Sequence, residues 1–577
     1  MDLNFSSQKL SLALAATGSS VLSMVSVGFA QVPFQTPNQL IEPVPEVERR
    51  VPTERPSETP PTIEIPVLPR PTVPEILLND STIIVETFQF VGNSVISDEA
   101  LSEVAQPYLN RPLDAADLLK LRQLLTNLYI SEGYFYSALS LSINENQIVD
   151  PTKATVTYEV VEGSVEQLDV VGDRRLSDYV SRRLDHALYP INQPKLAEAI
   201  QLLQADPLIR SITGNISPGS KPGLNVLEIN LVAEPIFEFR VGSDNRRLPS
   251  VGTIQTQTTL SASNLLSAGE IISAGYGRSE GSDRFNMRFA APVNAGNGTL
   301  SFQYTSIDGR IVEDPLSEFD IETNSQLYAL TFEQPILRKA TTTTVEELTV
   351  GLGAARVNSQ ATLFDQPFPL SPGADNSGST RIFELSIFQN YTKRNRDSVL
   401  FTSTEFDIGL NAFDATVGDE PDAQYVTWKS RAFWLQQLAN IGQLSVEGNI
   451  QLSGDRLIPF SQFFIGGPGS IRGYRQDALL ADSGATLNAE FLLPIANNGR
   501  QQLSLIPFGG VGVGWNNGSE RALGTNVLAS VGIGAQLDWD DFAARVNYAV
   551  PFTSIEGAGN SLQEQGIDFE LLYRLRF

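Results

Sequence analysis

Residues 567 to 577 alternate with one exception, Leu572 on the polar face. Ile567, Phe569, Leu571, Tyr573, Leu575 and Phe577 point one way, and Asp568, Glu570, Arg574 and Arg576 point the other. A strand written this way has an apolar medium on one face and polar surroundings on the other. With Tyr573, Leu575 and Phe577 closing its apolar face, the segment reads as the terminal strand of a transmembrane β-barrel. That choice governs everything upstream, because a barrel has to supply the remaining strands.

From Pro235 onward the chain supplies them, as alternating segments separated by Gly, Asn, Asp, Ser and Pro turns. Val531, Ile533, Ala535, Leu537 and Trp539 are expected outside against Gly532, Gly534, Gln536 and Asp538 inside. Phe542, Ala544, Val546, Tyr548 and Val550 are expected outside against Ala543, Arg545, Asn547 and Ala549. Segment starts fall near 236, 252, 269, 284, 298, 323, 345, 381, 398, 424, 443, 485, 503, 526, 542 and 566, which makes a 16-stranded antiparallel barrel. An even number returns both ends to the same side, and sixteen strands leave room for an aqueous lumen. Proline is expected to end four segments, at Pro292, Pro335, Pro494 and Pro551. All four tryptophans, Trp428, Trp434, Trp515 and Trp539, lie in this half, where interfacial girdles would use them.

The rest of the chain reads as an exported, segmented protein. Lys9, the apolar stretch from Leu10 to Val27, and Gly28-Phe29-Ala30 spell a signal peptide over 1–30, cleaved after Ala30; an uncleaved anchor is the other reading. Twelve prolines between Pro33 and Pro74 make residues 31–80 an extended polyproline-type linker, reach rather than chemistry. Residues 81–163 and 164–234 then repeat one order, strand, helix, helix, strand, strand. The second helix of the first copy offers Leu118, Leu121, Leu125 and Leu128 as its apolar stripe, and Gly133-Tyr134 stops it.

Composition removes most other functions. Sixty-six acids against 40 bases, a net charge of -26, argue against a nucleic-acid partner. With no cysteine and only His186, on a solvated helix face, there is no thiolate or His-based metal site, no cofactor site and no Ser-His-Asp triad, so the chain is read as no enzyme. Gly510, Gly512 and Gly514 alternate with Val511, Val513 and Trp515 as a strand does, which denies them a dinucleotide-loop role. No lysine follows a glycine, so there is no phosphate-binding P-loop and no expected use of ATP.

The tandem units resemble POTRA domains, small α+β domains whose sheet edge can accept an extended client as an added strand, or can be blunted to act as a spacer. The one long gap in the strand rhythm, about 454–484, carries Gly466, Gly467 and then Ile471-Arg472-Gly473-Tyr474. With this domain order around it, the chain resembles a two-partner secretion transporter, the TpsB or FhaC/ShlB/HecB type of haemolysin secretion/activation protein, within the POTRA-plus-barrel outer-membrane translocases. In that superfamily a lumen-directed loop carries a [VI]RG[YF] tip, and Ile471 to Tyr474 match it. The resemblance implies an outer-membrane pore with periplasmic POTRA-like domains. Its partners would be a secreted, TpsA-like, β-helical client, outer-membrane lipid, and the barrel assembly machinery during biogenesis. The family's matching motif on strand thirteen is Phe-x-Asp-x-Gly, and here it reads Phe508-Gly509-Gly510-Val511-Gly512, with glycine in place of the aspartate. Arg472 therefore needs another partner, such as Glu490 or Asp538. The runner-up reading is a barrel-insertion or assembly factor, and a passive porin is third. The family's plug helix has no counterpart in the proline-rich stretch.

Overall fold

The computed structural model describes residues 82–142, 153–341, 343–439, 441–518, 523, 525–555 and 559–577. The signal segment with Ala30 and the proline-rich linker lie outside the described residues. The described chain falls into two compact units, which divide at Pro235.

In the first unit, β1 (Ile83–Val91) leads into α1 (Asp98–Ala105) and α2 (Ala115–Ser131), followed by β2 (Ala138–Ser142) and β3 (Ala154–Val161). Both helices start on side-chain caps, Ser97 accepting from Ala100 N and Asp114 from Asp117 N. The buried face of α2 is Leu118, Leu121, Leu125 and Tyr129. Tyr129 takes the place expected of Leu128 because 3.6-residue periodicity drifts across four turns. β1 runs parallel to β3 and β2 antiparallel to it. A two-residue strand, Pro112–Leu113, adds to β1 and makes this sheet four-stranded, one more than the repeated order implied.

The next copy holds β4 (Ser164–Gly172), α3 (Ser177–Leu184), α4 (Gln193–Gln204), β5 (Ile209–Pro218) and β6 (Leu224–Ala233), with β6 central and β5 on an edge beside α4. Leu196, Ala199, Ile200 and Leu203 of α4 are buried against it, each leucine worth about 2 kcal/mol of apolar burial. The two copies are joined by backbone bonds from Ile191 N to Gly163 O (2.7 Å) and from Gln193 N to Gly133 O (3.0 Å), and Tyr136 sits in the second core. His186 is exposed in a short turn after α3.

The barrel strands, in order, are Phe237–Asp244, Gln255–Ser263, Ile271–Arg278, Ser282–Pro292, Thr299–Arg310, Ile321–Ala340, Thr344–Leu363 and Ser379–Asn395. Then come Ser398–Gly409, Tyr425–Leu438, Gly442–Ser453, Ser483–Asn497, Gln501–Trp515, Val527–Trp539, Phe542–Pro551 and Ile567–Arg576. They close into one antiparallel barrel, the last strand pairing with the first from Glu570↔Asp244 to Arg576↔Glu238. Phe237 and Phe577 exchange two 3.0 Å backbone bonds and stack their rings at 5.6 Å. Past Asp244, the Asn245 amide continues the ladder: its Nδ2 donates to Ile567 O and its Oδ1 accepts from Phe569 N, both at 2.9 Å.

Alternation places the faces. Val531, Ile533, Trp539, Val546, Tyr548, Leu571, Tyr573 and Leu575 are exposed on the outer wall, while Ser530, Asn547 and Ala549 are buried between them on the inner one. Two proline expectations need correction. Pro292 and Pro551 do end their strands, but strand six runs on through Pro335 to Ala340 and strand twelve through Pro494 to Asn497. Pro335 lies past the last pairing with strand five, at Glu333, where no donor is required on that side, and a register shift beside Pro494 absorbs its missing N–H.

Candidate functional site

Between strands eleven and twelve the chain leaves the wall and folds into the lumen. Its base is held by the fully buried Asp482 carboxylate, which accepts from Leu457 N (3.0 Å), Gln462 Nε2 (3.1 Å) and Asn517 N (2.8 Å). Three amide donors satisfy an acid that would otherwise be costly to bury. Next to it, Leu457, Ile458 and Phe460 pack on an apolar shelf that includes Ile307, Leu327, Val357 and Ile382, contributed by strands five to eight. A small hairpin, Phe463–Ile465 with Leu479–Ala481, carries the loop on to its tip.

The tip seats on strands thirteen to fifteen, across the barrel from that shelf. Gly466 (φ +112°), Gly467 (φ +88°) and Gly473 (φ +90°) adopt the left-handed conformations that turn the chain there. The glycines of strand thirteen form a groove for the loop's apolar knobs. A Cβ on Gly512 would stand 2.6 Å from Ile465 Cγ2 and 3.2 Å from Ile471 Cγ1, and one on Gly510 would stand 2.2 Å from Asn488 Oδ1. Ile465 and Ile471 are fully buried in this groove. Asn488, on strand twelve, fills the space that a side chain at position 510 would need.

Arg472 reaches strand twelve. Its Nη2 donates to Glu490 Oε1, and its guanidinium lies over the Phe508 ring, 4.5 Å from the centroid. The other oxygen, Oε2, accepts from Arg545 Nη2 at 2.9 Å. Asp538 accepts instead from Gln536 Nε2 at 2.9 Å, so of the two acids considered for Arg472, Glu490 is the one brought to it. Charge-assisted bonds of this kind contribute about 1.5–3 kcal/mol each, and the ring contact about 1 kcal/mol. Tyr474 is buried, its hydroxyl donating to Ala529 O (2.7 Å) and accepting from Thr553 N (3.1 Å).

Three contacts escaped sequence reasoning. Arg475 Nη2 donates to Glu313 (2.8 Å) and its Nη1 lies 3.5 Å from Glu564, residues of two extracellular-side connections. Burial pushes the Glu564 carboxyl up, but bonds from Ser561 and Gly559 and the nearby Arg475 charge outweigh it and hold the group below its ordinary range. Gln563 accepts from Gln476 N (2.8 Å) and donates to Arg247 O (2.9 Å), tying the loop to the chain that follows strand one. The third is Arg545, whose inward phase was legible but whose partner was not. Among the described residues no cluster of three or more His, Cys, Asp or Glu could hold a metal ion.

With this geometry in place, the decisive comparison is with family models. The model described as haemolysin secretion/activation protein ShlB/FhaC/HecB matches residues 223–537. The chain belongs to that family. A further model, POTRA domain of ShlB type, matches residues 83–163, the first α+β unit. The chain is 25% identical over 421 residues to the outer membrane transporter CdiB of Escherichia coli, covering 69% of this chain and 67% of CdiB. It is 21% identical over 434 residues to the CdiB of Dickeya dadantii (strain 3937), covering 71% and 73%. Among solved structures, CdiB from Escherichia coli superposes with a TM-score of 0.65 at 18% identity, over 90% of this chain and 94% of that one. BamA from Haemophilus ducreyi lacking POTRA domains 1-3 gives 0.51 at 14%, over 85% and 100%. This member of the ShlB/FhaC/HecB family is thus an outer-membrane barrel of the two-partner secretion transporters, with a POTRA domain ahead of it.

Proposed function

We propose that the protein is a non-enzymatic, protein-conducting pore that carries an exported client polypeptide across the outer membrane without ATP. The observation that carries this reading is the loop that crosses the lumen from the apolar shelf to the Arg472 seat. A sixteen-stranded lumen barred by a loop held on side-chain contacts opens when the loop leaves, which suits the passage of an extended chain. The two α+β units, the second taken as POTRA-like from its matching order of elements, would capture the client in the periplasm. β5 offers a sheet edge beside α4 to which an extended segment could add by backbone hydrogen bonds. On that edge Gln204 already bonds as a strand residue would, its Oε1 accepting from Ile212 N (3.0 Å) and its Nε2 donating to Arg210 O (3.1 Å), so a client would add beyond it.

The continuous pairing of strand sixteen with strand one, extended by Asn245, favours passage through the lumen over the insertion of other barrels through an opened seam. The test is deletion of the gene with comparison of the secreted and outer-membrane proteomes. Loss of one or a few large exported proteins with other barrels intact is expected. Broad loss of outer-membrane barrels would overturn the reading in favour of an assembly factor.

A further inference from the structure

The carboxylate that receives the loop tip serves two arginines of different attachment. Arg472 belongs to the loop, whereas Arg545 belongs to strand fifteen and is fixed from behind. Its Nε donates to Asn547 Oδ1 (3.1 Å), and Asn547 Nδ2 donates in turn to Asp568 Oδ1 (2.6 Å) on strand sixteen. Asn547 and Asp568 are buried, so this relay belongs to the wall and stays when the loop goes. The nearby Arg246 donates to Glu570 at 2.7 Å and adds a weaker, unbonded attraction for Glu490. Glu490 is therefore split between its oxygens, Oε1 for the loop and Oε2 for the wall.

This division has a consequence of definite sign. With the tip seated, one carboxylate faces two guanidiniums that repel each other. With the tip withdrawn, Glu490 keeps a partner and no uncompensated carboxylate remains in the wall, which would otherwise oppose withdrawal strongly. We propose that Arg545 is the wall-side positioning residue of the loop lock: it aims Glu490 at the tip and takes over its charge when Arg472 leaves, so that the loop can be released. The proposal rests on the reading of this loop as the gate.

The test is single-channel recording of the full-length protein in planar bilayers. Arg472→Gln and Glu490→Gln should each raise the open probability, because either removes the charge-assisted bond between tip and wall. If neither does, the loop is not the gate and the functional reading fails with the proposal. If both do, Arg545→Gln decides the proposal by itself. The expected result is the opposite sign, an open probability lowered about tenfold, since withdrawal would now leave Glu490 without a hydrogen-bonded cation. Arg545→Lys should restore near-normal gating, and in the Glu490→Gln background Arg545→Gln should change nothing. That last comparison also holds the proposal to account if the single variant inserts poorly. An increase in opening by Arg545→Gln, no change, or an effect that persists without the Glu490 charge would overturn it; a residue that merely props the wall would loosen the loop when removed.

Discussion

Glu490 could be found from the sequence because a strand's inward phase is fixed by alternation, and Arg545 was placed inward by the same rule. That the two meet could not be found, since phase gives the face while the shear between strands twelve and fifteen gives the height. The glycine at position 510 was visible as a departure from the family's aspartate, but its reason lies in Asn488, its cross-strand partner on strand twelve, a pairing that register sets and alternation does not give. A Cβ at 510 would stand 2.2 Å from Asn488 Oδ1 and 3.2 Å from Ile471 Cδ1. A Cβ at 512 would meet the loop itself, 2.6 Å from Ile465 Cγ2. Gly512→Val should therefore push the tip off its seat and raise ion conductance about tenfold, in line with an overpacking cost of about 1–3 kcal/mol. Wild-type conductance of Gly512→Val would contradict the assignment of this groove as the seat. Tyr474→Phe strands the Thr553 amide and removes one of two bonds to Ala529 O, which Phe552 N keeps (2.8 Å); this should loosen the tip by about 1–2 kcal/mol and appear as longer openings in the same recordings.

At the scale of elements, the strand starts were legible to within three residues, because turn residues punctuate each alternating run. Pro335 and Pro494 misled for a physical reason: proline ends pairing only where the neighbouring strand needs its N–H, and that depends on register. In the first α+β unit, Glu162 closes β3 onto the turn before α1. It accepts from Ser94 N (2.7 Å), Val95 N (3.0 Å) and Tyr129 OH (3.2 Å). Partial burial raises its pKa, but the bonds from Ser94, Val95 and Tyr129 outweigh this and hold the carboxyl below its ordinary 4.5. A depressed folded pKa contributes stability that is present above 4.5 and is lost as pH falls through the lower folded value. Glu162→Gln should cost this unit about 1–2 kcal/mol at neutral pH, with a smaller penalty once the wild-type carboxyl is protonated. Hydrogen exchange at Ser94 to Ile96 in the full-length protein, followed against pH, measures it. An unchanged exchange rate at neutral pH would contradict the assignment.

For the whole molecule, the central claim is that an exported polypeptide passes through this barrel only when the Arg472 loop leaves its seat. The cysteine-free sequence allows that claim to be tested with a single engineered crosslink. A sulfur at the position of Ile471 Cγ1 would stand 3.2 Å from a Cβ built on Gly512, close to the separation a disulfide requires. The measurement is the secreted proteome of cells carrying Ile471→Cys with Gly512→Cys, and Ile465→Ala to make room for the new Cβ that would otherwise stand 2.6 Å from Ile465 Cγ2, under oxidising conditions and after reduction. The account expects one or a few large exported proteins to vanish from the medium while the crosslink is intact and to return on reduction, with other outer-membrane barrels unaffected. Undiminished secretion by a fully crosslinked population would contradict it.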